Sequence, residues 1–204
     1  MLRGHPGLAT IPLVAGWASR NWPVIVRRPM PGDIAAGVPA ALPLPPSYGK
    51  HRVGFSFRSM EDVVPLAPVL LGDAAAGAPA AWQPTIAGAL ALGTALGIPP
   101  RVFGGLLWQH VTGLAYLSPQ SDLDLLWRVG DQRTATALVV GLSRLDAESP
   151  MRLDGELELP DGSGVSWREL ARAAEIGGGE VLVKSMDGVT MRLSTDLFVP
   201  GSVS

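Results

Sequence analysis

Two aspartates separated by one residue are the side chains in this sequence best suited to chemistry. Asp122 and Asp124 alternate with Leu123 and Leu125, so a β-strand here sends the leucines to one face and both carboxylates to the other. Two carboxylates at this spacing repel each other unless a cation lies between them, and Mg²⁺ combines a few carboxylates with water and phosphate oxygens. The pair indicates metal-assisted transfer of a phosphorus-containing group. Taken alone, Asp-X-Asp is also common on exposed strands that bind no metal.

A third acidic residue normally completes such a site, and residues 151–159 supply the candidates. Apolar and polar residues alternate there, which predicts a half-buried strand with Asp154, Glu156 and Glu158 on one face. We expect Asp154, and after it Glu156, to be catalytic. By themselves, three carboxylates in this arrangement are more often solvated side chains of an edge strand.

A glycine pair precedes the aspartates. Gly104 and Gly105 follow Phe103 at the start of a segment that leads to Asp122 and Asp124. This order resembles the nucleotidyltransferase superfamily, although residues 106–121 form a longer connection than is usual there. The resemblance implies that Gly104 and Gly105 bring backbone N–H groups, at a helix N-terminus, to a triphosphate.

A closer resemblance spans nearly the whole chain and accounts for that length. The sequence is similar to the malonate decarboxylase holo-acyl-carrier-protein synthase family, also called phosphoribosyl-dephospho-CoA transferase. The motifs that carry it are WPVIVRR at 22–28, LPLPP at 42–46, WQHVTGLAYL at 108–117, SDLDLLW at 121–127, LDGEL at 153–157, VSWREL at 165–170 and VLVK at 181–184.

This resemblance implies a donor, an acceptor and a metal. The family is taken to transfer the 2'-(5''-triphosphoribosyl)-3'-dephospho-CoA group to a serine of the malonate decarboxylase acyl carrier protein, with release of pyrophosphate. Asp122 and Asp124 would bind Mg²⁺ or Mn²⁺. Asp154 or Glu156 would complete the site or take the proton of the serine.

Basic residues are the candidates for holding the phosphates of the donor. Arg27, Arg28, Lys50 and Arg52 flank the first two predicted strands, and Lys184 lies on an apolar strand near the C-terminus. The alternatives are that the first four solvate strand ends or dock the modules, and that Lys184 is a surface lysine. We expect His110, which follows the glycine pair, to be a core residue.

The order of these segments predicts an α+β protein. Residues 1–79 form a small, proline-punctuated, β-rich module with strands near 24–26 and 53–57, and residues 80–204 form a nucleotidyltransferase-like mixed α/β domain. Residues 73–81 have the composition of a linker. Helices are expected over 84–96 and from the cap Asp131 to about 147, the second with Ala137, Val140 and Leu145 on its apolar side.

Composition excludes several classes of protein. The net charge of −2 provides no basic field for nucleic acid, and the absence of cysteine removes thiolate chemistry and Cys-bound zinc. No apolar run is long enough to span a membrane, and prolines interrupt the apolar start, so we expect a cytoplasmic protein. Two alternatives to the transferase remain: a nucleotidyltransferase of other specificity that acts on a protein or small hydroxyl acceptor, and a non-catalytic relative that binds nucleotide or carrier.

Overall fold

The computed structural model describes residues 11–33, 37–49 and 51–199. Its α-helices and β-strands are α1 (Pro12–Ala15), β1 (Ile25–Val26), β2 (Val38–Pro43), β3 (Arg52–Phe57), α2 (Leu71–Ala74), α3 (Gln83–Leu96), β4 (Arg101–Val102), α4 (Gly104–Thr112), β5 (Leu123–Arg128), α5 (Gln132–Ala147), β6 (Leu153–Glu158), β7 (Gly164–Ser166), α6 (Trp167–Glu175), β8 (Glu180–Lys184) and β9 (Val189–Leu193). Short 3₁₀ helices occupy Ala18–Arg20, Pro46–Tyr48, Met60–Asp62, Ala75–Gly77 and Ala80–Trp82. The mixed α and β content confirms the predicted fold class.

Two compact units divide these elements. The small unit contains the described residues up to Ala67 together with Trp108–Tyr116, and the large unit contains Pro68–Leu107 and the described residues from Leu117 onward. The small unit has one antiparallel sheet in the order β1-β2-β3. Its core consists of Leu13, Val14, Trp17, Leu42, Leu44, Val53, Trp108 and Tyr116.

The central strand of the small sheet, β2, contains two prolines and was not predicted. Leu44 N–H donates to His51 O, and Pro39 O accepts from Arg27 N–H, so the odd-numbered residues of β2 direct their backbone groups toward β1. At Pro39 and Pro43, which have no N–H group, the backbone nitrogen therefore faces β1. Strand β1 pairs with β2 only at Ala40 and Ala41. The prolines cost β2 few hydrogen bonds because its neighbour on that side is so short.

The large unit is built on a six-stranded sheet in the order β4-β5-β6-β7-β8-β9. Strands β5 and β6 are parallel, and the other neighbouring pairs are antiparallel. Parallel neighbours need a long crossover, which α5 supplies. Strands β8 and β9 form a hairpin around a turn in which Ser185 N–H donates to Gly188 O.

Helices α3, α5 and α6 share one hydrophobic core with the sheet. Asp131 caps α5 as predicted, since its carboxylate accepts from Thr134 N–H at 2.8 Å. The predicted apolar side of α5 was right for Leu145, which packs against the core, and wrong for Ala137 and Val140, which are exposed. The buried face follows the i, i+3, i+4, i+7 spacing through Ala135, Leu138, Val139 and Leu142.

The segment predicted to be a linker is structured. Helix α2 precedes two short 3₁₀ helices there, and Leu71 and Ala74 are fully buried in the core of the large unit. Leu71 N–H also donates to Pro100 O at 2.9 Å. The small, uncharged residues of this segment were interpreted as a sign of a flexible linker, whereas in the structure they permit close packing.

Across residues 11–33, 37–49 and 51–199, no helix combines the length and apolar character that crossing a membrane requires.

Candidate active site

Strand β5 presents the predicted pair of aspartates. Leu123, Leu125 and Trp127 are fully buried, and the side chains between them lie on the opposite face, as the alternation predicted. Asp122 lies immediately before the strand and Asp124 is its second residue. The face that carries Asp124, Leu126, Asp154 and Glu156 is termed the polar face below. One face of the sheet is thus anchored in the core, which fixes the carboxylates on the other.

Gly104 allows the start of α4 to approach Asp124. Its φ of +61° lies in the left-handed region, and a Cβ built on it would overlap the Asp124 carboxylate. Phe103 N–H donates to Asp124 O at 3.2 Å, which ties this turn to β5. Gly105 N–H donates to the Asp124 carboxylate. The glycine pair is therefore needed for the carboxylate itself, in addition to any role toward phosphate.

The Asp124 carboxyl group lies in a strongly perturbed environment. Burial, followed by the neighbouring carboxylates of Asp154 and Asp122, raises the pKa of Asp124 to about 6, against the opposing effects of Gly105 N–H and the Arg152 guanidinium. An ion with two positive charges beside these carboxylates would reverse the repulsion. The oxygen-only donor set suits Mg²⁺ or Mn²⁺.

Asp154 lies on β6 directly opposite Asp124 in the parallel register. Its carboxylate accepts from Gly155 N–H at 2.8 Å and forms an ion pair with Arg152 at 3.0 Å. In the part of the chain that the structure describes, no three His, Asp or Glu side chains converge as a ready-made metal site. Asp122 and Asp154 both lie close enough to Asp124 for their carboxylates to raise its pKa.

A polar clamp holds the residue before Asp154, and sequence reasoning missed it. Leu153 N–H donates to Asp146 Oδ1 at 2.9 Å, and Leu153 O accepts from Arg168 at 2.8 Å. Arg168 and Asp146 also pair at 2.6 Å, and the guanidinium lies over the Trp167 ring. Arg168 falls within a motif of the family resemblance, but no spacing rule connects it to Asp146. The clamp fixes where β6 begins and so where Asp154 lies.

Glu156 and Lys184 lie on the polar face but engage each other. Lys184 Nζ is 2.6 Å from Glu156 Oε1, so an ion pair connects β6 with β8 across the intervening β7. Gly164 on β7 provides the room, because a Cβ there would come within 2.8 Å of Glu156 Oε2. Glu156 is therefore already paired with a cation, as Asp154 is with Arg152.

The basic residues of the small unit differ in their environments. Arg27 binds Asp33 with both prongs of its guanidinium, at 2.6 and 2.7 Å, and would have to leave it to bind a phosphate. Arg28 and Arg52 are exposed, and Lys50 lies outside the described residues. His110 is exposed, so the expectation of a core residue was wrong.

Two family models match the chain. The model of the N-terminal domain of phosphoribosyl-dephospho-CoA transferase MdcG matches residues 4–66, and that of the C-terminal domain matches residues 69–195. No solved structure matches the chain.

Curated relatives agree with the family models. The chain is 38% identical to a phosphoribosyl-dephospho-CoA transferase of Bradyrhizobium diazoefficiens, over 99% of this chain and 87% of the relative. It is also 38% identical to one of Xanthomonas campestris pv. campestris, over 92% and 86%, and 33% identical to one of Pseudomonas putida, over 91% and 83%.

These matches identify the protein as a transferase, and both domains of one transferase family are present in the chain. The chain belongs to the phosphoribosyl-dephospho-CoA transferase family. The resemblance found in the sequence motifs is thereby confirmed.

Proposed function

We propose that this protein transfers the 2'-(5''-triphosphoribosyl)-3'-dephospho-CoA group to a serine of the malonate decarboxylase acyl carrier protein, in the cytoplasm, and releases pyrophosphate. The observation that carries the proposal is Asp124, held against Gly104 with a raised pKa, next to the carboxylate of Asp122. Family membership supports the donor, because the relatives are named for phosphoribosyl-dephospho-CoA transfer.

The carboxylate pair would hold the metal. Asp122 and Asp124 supply oxygen ligands whose mutual repulsion a divalent cation relieves. Bound Mg²⁺ or Mn²⁺ would neutralise the triphosphate and stabilise the charge that develops on the departing pyrophosphate. Without a cation, two carboxylates would repel a triphosphate, so the pair alone makes a poor phosphate site.

Asp154 is the proposed base. It lies opposite Asp124 in the register, and its carboxylate is held by Gly155 N–H and Arg152 on the polar face. Its role is to accept the proton of the acceptor serine while the serine Oγ forms a bond to the α-phosphorus of the donor. The bond from that phosphorus to the bridging oxygen breaks, and pyrophosphate leaves with the electron pair. The product is a phosphodiester.

The remaining assignments concern the phosphates of the donor. Gly104 and Gly105 lie against the Asp124 carboxylate, which supports a position near the triphosphate. Lys184 supplies a cation on the polar face, balanced by Glu156. Arg27, Arg28, Lys50 and Arg52 stay proposed phosphate ligands, with the Asp33 pair as a competitor for Arg27.

Mass spectrometry of the carrier protein tests the proposal. Purified protein is incubated with the triphosphoribosyl donor, Mg²⁺ and apo carrier, and the carrier is expected to gain the mass of the prosthetic group. Asp122→Asn and Asp124→Asn should remove the gain, whereas Asp187→Asn, in an exposed turn, should retain it. An unmodified carrier with the wild-type protein would refute the proposal. Equal labelling from ATP or CTP would instead favour a nucleotidyltransferase of other specificity.

A further inference from the structure

We propose that Arg101 and Arg128, which both contact the carboxylate of Glu158, form a subsite for the diphosphate of the dephospho-CoA moiety. The inference rests on the proposed function and extends it to the part of the donor that does not react. Arg101 NH1 lies 3.0 Å from Glu158 Oε2, and Arg128 Nε lies 3.7 Å from Glu158 Oε1. Three neighbouring strands, β4, β5 and β6, contribute one residue each.

The cluster lies on the polar face together with the carboxylate pair. Asp124, Leu126 and Arg128 are alternate residues of β5, so their side chains leave the sheet on the same side. Glu158 opposes Arg128 in the register, and Arg101 opposes Leu126 from the other neighbour. Arg128 lies four residues after Asp124 along the strand, a distance of about 13 Å.

This spacing fits the chemistry of the donor. Its reacting α-phosphorus and the diphosphate of its dephospho-CoA moiety are separated by two linked riboses, a path of about twelve bonds. An extended path of that length reaches about 13 to 15 Å. A donor whose triphosphate lies at Asp122 and Asp124 can therefore place its diphosphate at Arg128 when it lies along β5. The half-buried Leu126 then lies beneath the riboses.

The charge of the cluster favours an anion. Two guanidinium groups share one carboxylate, which leaves a net charge of +1. The Arg128 side chain is 68% exposed and its contact with Glu158 is loose, so much of its guanidinium faces water. Arg168 differs, because Asp146, Leu153 O and the Trp167 ring already occupy it. A guanidinium that retains exposed N–H groups can bind a diphosphate through charge-assisted hydrogen bonds.

Calorimetric titration with dephospho-CoA, which lacks the triphosphoribosyl group, tests the subsite. In EDTA, so that no metal ion contributes, we expect Arg128→Gln and Arg101→Gln each to weaken binding about tenfold. Arg128→Lys should recover part of the loss. Arg144→Gln, an exposed arginine on α5, is the matched control and should bind like the wild type. Pantetheine, which has no diphosphate, should bind equally to all variants.

Two readouts separate this proposal from the proposed function. In the transfer reaction, Arg128→Gln should raise the donor KM about tenfold and leave kcat unchanged, because the residue lies far from the reacting phosphorus. If the carrier is modified but Arg128→Gln and Arg101→Gln retain wild-type affinity for dephospho-CoA, the subsite is refuted and the function stands. Absence of saturable dephospho-CoA binding by the wild type would also refute the subsite. If binding weakens as expected but no carrier is modified, the subsite stands and the function falls.

Discussion

Two aspartates, one in each compact unit, have opposite electrostatic environments. Asp33 in the small unit binds the Arg27 guanidinium through both oxygens and accepts from Met30 N–H at 2.6 Å, and these contacts lower the pKa of Asp33 to about 2. Burial and the carboxylates of Asp154 and Asp122 raise the pKa of Asp124 to about 6. The Asp33 charge is compensated within the fold, whereas the Asp124 carboxylate is partly buried beside two groups of like charge. The opposite pKa shifts of the two aspartates indicate that uncompensated negative charge distinguishes the candidate active site.

The strongest test of this comparison removes the charge of Asp124. Asp124→Asn preserves the shape of the side chain and an acceptor for Gly105 N–H but removes one of the two proposed metal ligands. We expect kcat to fall by about a thousandfold or more, equivalent to at least ~4 kcal/mol of transition-state stabilisation. Transfer is measured as mass gain of the carrier under single-turnover conditions. Activity within tenfold of the wild type would show that Asp124 is no metal ligand.

A substitution at Gly104 tests whether the close approach of the backbone to Asp124 is needed for activity. Gly104→Ala adds a Cβ that overlaps the carboxylate, at a φ of +61°. We expect about a hundredfold lower activity and a loss of stability of about 1–3 kcal/mol. Gly97→Ala is the matched control, because Gly97 has a φ of +69° with open space around it. It should lose stability but keep its activity, and equal losses of activity in the two variants would contradict the role of Gly104.

The sequence predicted the local features of the site well. Alternation fixed which faces of β5 and β6 carry carboxylates, and Asp131 marked the start of α5, because both signals depend on neighbours along the chain. The opposition of Asp124 and Asp154 was not predicted. It depends on the parallel register of two strands joined through α5, which no local pattern specifies.

The features that were missed depend on tertiary contacts. The strand β2 was hidden by its prolines, which are tolerated because β1 is short. The clamp of Asp146 and Arg168 joins residues 22 positions apart, and Val140 occupies an exposed position that its apolar side chain did not indicate. In each case the partner, not the residue type, decides the environment.

The pH dependence of stability provides a smaller effect with a definite sign. Folding raises the pKa of Asp124 from its ordinary 3.8 to about 6, so the folded state binds the proton more tightly than the unfolded chain. Stability from this group is full below about pH 4 and is lost as pH rises through 6. In EDTA at pH 8, Asp124→Asn should therefore be more stable than the wild type by about 1 kcal/mol, allowing for partial solvent screening.

Urea unfolding across pH 4 to 8 measures this difference, which should vanish at the acidic end. Asp187→Asn, in the exposed turn between β8 and β9, controls for a general effect of charge. An Asp124→Asn variant that is less stable than the wild type at pH 8 would show that the carboxylate is compensated after all. The contrast with Asp33 would then fail.

Asp33 should show the opposite sign and the smallest effect. Its pKa lies below the ordinary 3.8, so its contribution to stability is present above about pH 4 and is lost as pH falls through about 2. Asp33→Asn keeps one acceptor oxygen, which can serve Arg27 NH1 and Met30 N–H, but removes the charge and the acceptor for Arg27 NH2. It should lower the urea concentration at the midpoint of unfolding slightly at pH 7. This difference in stability from the wild type should disappear near pH 2. Asp62→Asn, at an exposed site of the same unit, should have nearly the stability of the wild type at any pH. An Asp33→Asn variant that is as stable as the wild type at pH 7 would mean that the ion pair with Arg27 contributes no net stability. Arg27 could then leave Asp33 for a phosphate without a loss of folding stability.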